Sequence, residues 1–368
     1  MRGVLQRFAR SREFHTPWPN RPRLEVLTYL DDKEHKKVFP SDRSRRLPSA
    51  HVVRSSPLPR FRAPICDPIF HWRALRFHRS CHGLGLERVS SEVNQELFNP
   101  WSASKFLSIA FAAQSLRESG LGLHTTVKGL ALGDLVSLVC CYDKSRAYGR
   151  VEINSNSVAN YFHSLIGPDS PTTLLQKRLG LSSKHCFETT YQTSWRQDPA
   201  LPLPRGLKTA RGRKGGYKKM SLEALTEGLR FCLSELHPDD LEILLYGASE
   251  SQWYPETFAG ARTEMGGLSS DPSIYFQSAL NISEVERNSR GRWRIFSKSG
   301  FGPATSDRDN EFVIAGYLYL PVFEENDESV SDHSREFIVA ARLDGRGLPD
   351  SQADEIFAKN LKRLVESL

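Results

Sequence analysis

The last third of the chain most constrains what the sequence can fold into. The segments WRIFSKSG, EFVIAGYLYLP and REFIVAARLDG are dense in β-branched and aromatic residues and are separated by turn-forming linkers, so they predict three strands. ADEIFAKNLKRLVESL, which closes the sequence, has the apolar periodicity of an amphipathic helix. Successive strands with helices elsewhere predict an antiparallel sheet flanked by helices plus a helical subdomain, an α/β arrangement in the broad (α+β) sense.

Helical patterns dominate the region before these strands. Asn99 followed by Pro100 predicts the start of a helix, and the apolar residues that follow carry this helix to about Gly120. Further helices are predicted at about 130–141, 156–166, 220–235 and 238–250. Residues 184–219 have the Pro, Gly and Arg content of a long loop.

Positive charge is concentrated at the start of the chain. The formal net charge is +7, but residues 1–90 contain 19 Lys and Arg against 8 Asp and Glu, and the remaining residues are net acidic. The segment is also rich in proline and lacks sustained periodicity, which predicts a largely irregular N-terminal extension over 1–90 and a folded domain over 91–368. No secretory signal peptide is visible, and no segment has the length and apolarity of a membrane span.

Two clusters of residues resemble binding sites, but we assign a binding function to neither cluster. The group Cys66, His71, His78, Cys81 and His82 matches no zinc-ligand spacing, so neither a metal nor a cofactor is expected. The segment GLKTARGRKGGYKK could bind a polyanion, but its single aromatic residue provides poorly for base stacking. It is interpreted as a solvated loop, and no nucleic-acid partner is expected.

Catalytic chemistry is indicated by Ser102-Ala103-Ser104-Lys105, the one S-x-x-K in the chain. A spacing of three residues on a helix puts the serine hydroxyl and the lysine amine on one face. An amine whose pKa is lowered by burial can take the proton of the serine and make it a nucleophile. The first turn of a helix also offers free backbone N–H groups, which would stabilise an oxyanion.

A second motif, Lys298-Ser299-Gly300, is the one K-[S/T]-G in the chain and lies in a predicted strand. Between the two motifs stands INSNSVANYF. In this order the sequence resembles the β-lactamase and penicillin-binding D,D-peptidase superfamily, and class A β-lactamases in particular, whose signature is S-x-x-K, S-x-N and K-[S/T]-G. The resemblance covers about residues 95–368 and includes FETTYQ, near where that family has its W-E-x-x-L-N loop.

The resemblance implies roles for the residues that match its motifs. Ser102 would attack a carbonyl and become acylated, with Lys105 as its base. Asn156 would hydrogen-bond Lys105 and the substrate amide. Glu188, which lies 32 residues beyond Asn156, would orient a deacylating water. The family is usually exported.

The strand motif implies the substrate-binding groups. Lys298 and Ser299 would bind a substrate carboxylate, with Gly300 completing the triplet. The backbone N–H groups of Ser102 and Phe301 would form the oxyanion hole. The implied activity is a serine hydrolase that acts through an acyl-enzyme on an amide or ester next to a carboxylate, in a β-lactam or D-amino-acid peptide.

Two departures from the family pattern leave an alternative open. Asn154 stands where the S-x-N motif has a serine, so a hydroxyl that relays protons is expected to be absent. The two strands that the family places before its S-x-x-K are also hard to find, with GLGLERVSSEVNQELF the one candidate hairpin. The alternative is a catalytically impaired relative that binds or senses a ligand.

Overall fold

The computed structural model describes the greater part of the chain. The described residues are 61–80, 83–91, 96–140, 146–148, 151–188, 191, 201–207, 218–246, 276, 279, 294–303, 310–320 and 335–368. Residues 1–60 of the predicted extension lie outside them, as do Cys81 and His82 and most of the basic segment 205–219.

A five-stranded antiparallel sheet forms the centre of the fold, in the order β2-β1-β11-β10-β9. Its strands are Phe70–Ser80 (β1), Gly83–Ser90 (β2), Arg294–Pro303 (β9), Asn310–Leu320 (β10) and Arg335–Gly345 (β11). The three predicted C-terminal strands are therefore confirmed. Short two-stranded ribbons pair Thr126–Val127 (β3) with Leu130–Ala131 (β4), Arg146–Tyr148 (β5) with Val151–Ile153 (β6), and Cys186–Phe187 (β7) with Lys218–Lys219 (β8).

Helices cover both faces of the sheet. They are Lys105–Glu118 (α1), Leu132–Cys140 (α2), Ser155–Leu165 (α3), Pro171–Leu179 (α4), Leu222–Glu235 (α5), Pro238–Tyr246 (α6) and Asp350–Ser367 (α7), and the 3-10 helix Trp101–Ser104 leads into α1. The antiparallel sheet flanked by helices, with a helical subdomain, is as predicted. Among the described residues, no helix combines the length and the hydropathy needed to cross a bilayer.

Alternation along β11 divides the core in two. Phe337, Val339 and Ala341 point into the layer that α7 covers, whereas Ile338 and Ala340 point into the larger layer beneath α1 and α5. α1 is buried along nearly its whole length. The chain therefore enters the centre of the helical subdomain directly after Ser104.

The prediction that residues 1–90 form an irregular extension is wrong for residues 70–80 and 83–90, which form β1 and β2. Phe70, Trp72 and Leu75 are each 2% exposed or less. The strands escape a hydrophobic pattern search because their other positions carry cations that α5 neutralises. Arg73 pairs with Glu223 at 3.2 Å, and Arg88 lies 3.5 Å from the Glu227 carboxylate.

Candidate active site

The turn that carries Ser102 has an unusual backbone. The side-chain oxygen of Asn99 accepts the backbone N–H of Trp101 at 3.1 Å, which holds the start of the 3-10 helix. Trp101 has φ of 47°, a left-handed conformation that costs a residue other than glycine roughly 1–3 kcal/mol. Ser102 follows it and is partly exposed, whereas Ser104 and Lys105 are buried. The turn thus presents one hydroxyl of the motif to the outside and encloses the other.

Strand β9 contacts this turn backbone to backbone at Gly300. A Cβ atom at Gly300 would lie 2.6 Å from the carbonyl oxygen of Pro100 and 2.8 Å from the backbone nitrogen of Ser102. Only glycine permits so close an approach. The structure therefore brings the S-x-x-K and K-[S/T]-G motifs together, although Gly300 lies 198 positions beyond Ser102 in the sequence.

Lys298 shares the face of β9 that carries Gly300, because side chains two residues apart point the same way. It is 1% exposed, and its amine donates to the carbonyl oxygen of Ser299 at 3.3 Å. Ser299 is also buried and alternates to the other face. Phe301, at 40% exposed, packs its ring on Phe312 with the centroids 4.9 Å apart. The substrate-binding and oxyanion roles of these residues stay predictions.

Lys105 projects from the start of α1 toward α3. Its amine donates to the hydroxyl of Ser155 at 2.9 Å, and Lys105 itself is 3% exposed. A hydroxyl therefore lies within hydrogen-bond distance of the Lys105 amine, one residue after Asn154. Sequence reasoning missed Ser155 because it matched Asn154 to the motif serine.

Asn154 has a different task, which is to cap α3. Its side-chain oxygen accepts the backbone N–H groups of Asn156 at 2.9 Å and Ser157 at 3.0 Å. The Ser157 hydroxyl in turn accepts the backbone N–H of Asn154 at 2.9 Å, which completes a capping box. Asn154 is exposed, and Asn156 lies in the first turn of α3. The contact of Asn156 with a substrate amide stays a prediction.

Tyr191 lies on the same side of Lys105 as α3 and was not predicted. The amide of Asn160 holds it at both ends of its backbone, donating to the Tyr191 carbonyl oxygen at 2.9 Å and accepting its N–H at 2.6 Å. Its phenol oxygen lies 3.0 Å from the Ser104 hydroxyl oxygen. Burial raises the pKa of Tyr191, so the phenol stays protonated. Asn160 belongs to the segment NSVAN quoted above, which is the signal that could have located its partner.

A second lysine approaches the Tyr191 ring. The amine of Lys218 lies 3.1 Å from the ring centroid and that of Lys105 lies 5.4 Å from it. Burial, with the charge of Lys105 as the lesser cause, lowers the pKa of Lys218 from 10.5 to about 6. Among the described residues, no carboxylate lies within ion-pair distance of Lys218. Lys218 is therefore a largely neutral amine at pH 7.

Glu188, predicted to orient a deacylating water, has a partner elsewhere. Its carboxylate accepts the backbone N–H of Thr172 at 3.3 Å, in the first turn of α4. A carboxylate is stabilised there by the positive end of the helix dipole. Of the described residues of the FETTYQ segment, Tyr191 lies against Lys105.

Comparisons with solved structures find class A β-lactamases at low identity. The chromosome-encoded β-lactamase of Vibrio parahaemolyticus is 12% identical with a TM-score of 0.41, and the alignment covers 80% of this chain and 93% of that one. A β-lactamase from Xanthomonas campestris is 15% identical with a TM-score of 0.42, covering 81% and 90%. The reconstructed class A β-lactamase of the last common ancestor of Gram-negative bacteria is 14% identical with a TM-score of 0.44, covering 81% and 92%.

No protein-family model matches the sequence, and no curated protein matches it. At the identities and TM-scores given above, the structural alignments carry neither residue correspondences nor an activity over to this chain.

Proposed function

We propose that the chain is a serine acyl-transfer enzyme of the β-lactamase-like kind, with Ser102 as the nucleophile and Lys105 as its base. The observation that carries this proposal is the approach of Gly300 to the Ser102 turn, together with the Lys105 to Ser155 hydrogen bond. These contacts bring the proposed nucleophile and base, a second hydroxyl and an edge strand together from three separate parts of the sequence.

The chemical step follows from these positions. The Ser102 oxygen attacks the carbonyl carbon of an amide or ester while the Lys105 amine accepts its proton. The proton then passes through the Ser155 hydroxyl to the leaving nitrogen or oxygen as its bond to carbon breaks. The acyl group remains on Ser102 as an ester, and backbone N–H groups of Ser102 and Phe301 stabilise the oxyanion.

The substrate we propose is a small molecule or peptide with a carboxylate near the scissile bond. β9 is an edge strand of the sheet and carries Lys298 on the face that meets the Ser102 turn. A buried cation attracts a carboxylate more strongly than an exposed one, because little water screens the pair. Lys298 would supply this contact, because Ser299 alternates to the other face of β9.

A second candidate function is supported by Tyr191 and Lys218, which flank Lys105 with a protonated phenol and an amine. A phenol is a poor base for activating water, and Glu188 is engaged at α4. The second proposal is therefore a relative that becomes acylated and releases the acyl group slowly, so that it binds or senses its ligand covalently.

The test is covalent labelling with a fluorescent penicillin or a general serine-hydrolase probe, followed by intact-mass analysis. We expect labelling of the wild type at one site and its loss in Ser102→Ala. Ser119→Ala, at the exposed end of α1, is the matched control and should be labelled as the wild type is. Persistent labelling of Ser102→Ala would show that the nucleophile is a different residue. The acyl-enzyme lifetime separates turnover from slow release.

A further inference from the structure

Trp101, the residue before Ser102, is held by contacts that the proposed chemistry does not use. Its ring packs on Gly302, where a Cβ atom would lie 2.5 Å from the nearest ring carbon. Gly302 is two residues beyond Gly300 and so lies on the same face of β9. The two glycines thus seat adjacent residues of the turn, Gly300 the backbone of Ser102 and Gly302 the side chain of Trp101.

The indole N–H of Trp101 reaches into the sheet. It donates to a carboxylate oxygen of Glu311 at 3.0 Å, and Glu311 lies opposite Gly302 in the pairing of β10 with β9. Glu311 is 2% exposed. A buried carboxylate needs hydrogen-bonding or charged partners, since it has lost the water that solvates it at the surface.

Arg342 on β11 supplies the charge that Glu311 requires. Its Nε donates to the other carboxylate oxygen of Glu311, and its guanidinium lies 2.8 Å from the Glu96 carboxylate. The guanidinium carbon also lies 4.8 Å from the centre of the Phe98 ring. Burial raises the pKa of Glu311, while Arg342 and the indole N–H both oppose the rise. Contacts therefore run without a break from the third strand of the sheet to the residue before the nucleophile.

We infer that Trp101, Glu311 and Arg342 are positioning residues that hold the left-handed turn at Trp101, so that the hydroxyl and backbone N–H of Ser102 face the same point beside β9. Any residue other than glycine leaves φ of 47° readily unless its surroundings fix it. The sheet provides a rigid anchor because β9, β10 and β11 each contribute one contact. The inference rests on the proposed function, since it concerns how the proposed nucleophile is presented.

The experiment is single-turnover acylation of Trp101→Phe over a range of probe concentrations, which separates the acylation rate constant from the noncovalent dissociation constant. Phenylalanine keeps a six-membered aromatic ring on the Gly302 side and removes the N–H together with the rest of the five-membered ring. We expect the acylation rate constant to fall about tenfold, because small displacements of a reacting group cost one to two orders of magnitude in rate. The noncovalent dissociation constant should stay within about twofold.

Two further variants distinguish positioning from general stability. Glu311→Gln keeps an oxygen that can accept the indole N–H, so it should retain part of the wild-type acylation rate. Glu311→Leu lacks such an oxygen and should not retain it. Tyr317→Phe is the matched control, because it removes another buried aromatic hydrogen bond to a carboxylate in the same sheet, that of Tyr317 to Glu336 at 2.9 Å. It should lower the melting temperature and leave the acylation rate unchanged.

The outcomes separate this inference from the proposed function. If the wild type is acylated and Trp101→Phe reacts as fast, the inference is wrong and the proposed function stands. If the wild type is not acylated, the proposed function fails, and amide hydrogen exchange over residues 99–106 still tests the anchor. Faster exchange in Trp101→Phe than in Tyr317→Phe supports it, and equal exchange overturns it.

Discussion

The two walls of the candidate site are built in different ways. On the sheet wall, β9 meets the Ser102 turn through backbone atoms at Gly300, and Gly302 leaves room for the ring of Trp101. On the helical wall, Lys105 meets the side chains of Ser155 and Tyr191. A backbone contact dictates residue type and sequence position strictly, whereas a side-chain contact can be supplied from a neighbouring position or by another residue type.

This difference explains why the two walls differ in how well the sequence predicts them. K-S-G has the lysine and glycine where they are needed, because any shift by one residue would turn both to the other face of the strand. At the start of α3, Asn154 caps the helix and the next residue, Ser155, contacts Lys105. A shift of one position in an alignment therefore assigns the two roles to the wrong residues. The helical wall is therefore where the sequence predicts the contacts of individual residues least well.

The largest effect we expect comes from deleting the N-terminal strands of the sheet to which β9 belongs. A chain that begins at residue 91 lacks β1 and β2, and loses the burial of Phe70, Trp72 and Leu75. Each such side chain contributes about 1.5–3 kcal/mol, against a total stability of about 5–15 kcal/mol. We expect this chain to show no cooperative thermal unfolding by circular dichroism.

The control for that truncation is a chain that begins at residue 61, which keeps all five strands. It should unfold cooperatively within a few degrees of the full chain. Equal behaviour of the two truncated chains would mean that the hairpin does not contribute to the sheet.

The next largest effect tests the backbone contact itself. Gly300→Ala places a methyl group within 2.8 Å of the Ser102 backbone nitrogen, so the strand and turn must separate. We expect the acylation rate to fall by about 10²-fold, the usual cost of losing one oxyanion donor. Gly302→Ala is the comparison, because its methyl group meets a side chain, the Trp101 ring, that can shift. A milder effect at Gly300 than at Gly302 would contradict the account of the sheet wall.

Sequence reasoning located more of this molecule through spacing and periodicity than through composition. The helix after Ser102 and the three C-terminal strands follow from the density and spacing of their apolar residues. The hairpin of β1 and β2 does not, because Arg73 and Arg88 make its composition resemble that of a basic extension until α5 is placed against it. Tyr191 was missed as well, since its position depends on the amide of Asn160, 31 residues earlier in α3.

A smaller effect, on stability, tests the helical wall at Lys218. The pKa of Lys218 lies near 6 in the folded protein and near 10.5 when unfolded, so between these values the unfolded chain binds the extra proton and Lys218 destabilises the fold. Lys218→Met should raise the free energy of unfolding at pH 7 by about 1–3 kcal/mol. The gain should grow as the pH falls toward 6 and vanish as it rises toward 10.

Chemical denaturation at several pH values provides the measurement for Lys218. The exposed neighbour Lys219 is the matched control, and Lys219→Met should give a difference of near zero at every pH. If the increase in the free energy of unfolding of Lys218→Met did not change with pH, the folded and unfolded chains would bind protons equally at this residue.

The smallest effect we expect is that of Glu188→Gln, and it decides whether the helical wall contains a base for deacylation. The Glu188 carboxylate accepts the Thr172 N–H at the start of α4, where Ser170 already caps the helix at 3.1 Å from Thr173 N. Loss of its charge there should cost about 0.3–1 kcal/mol of stability. The acyl-enzyme lifetime, measured after single-turnover acylation so that a slow first step cannot hide it, should be unchanged.

Asn160→Ala, which frees the backbone of Tyr191, should change that lifetime, because it alters the side of Lys105 that Tyr191 covers. Accumulation of the acyl-enzyme in Glu188→Gln would instead assign the deacylating role to that carboxylate and make the helical wall as close to the family pattern as the sheet wall.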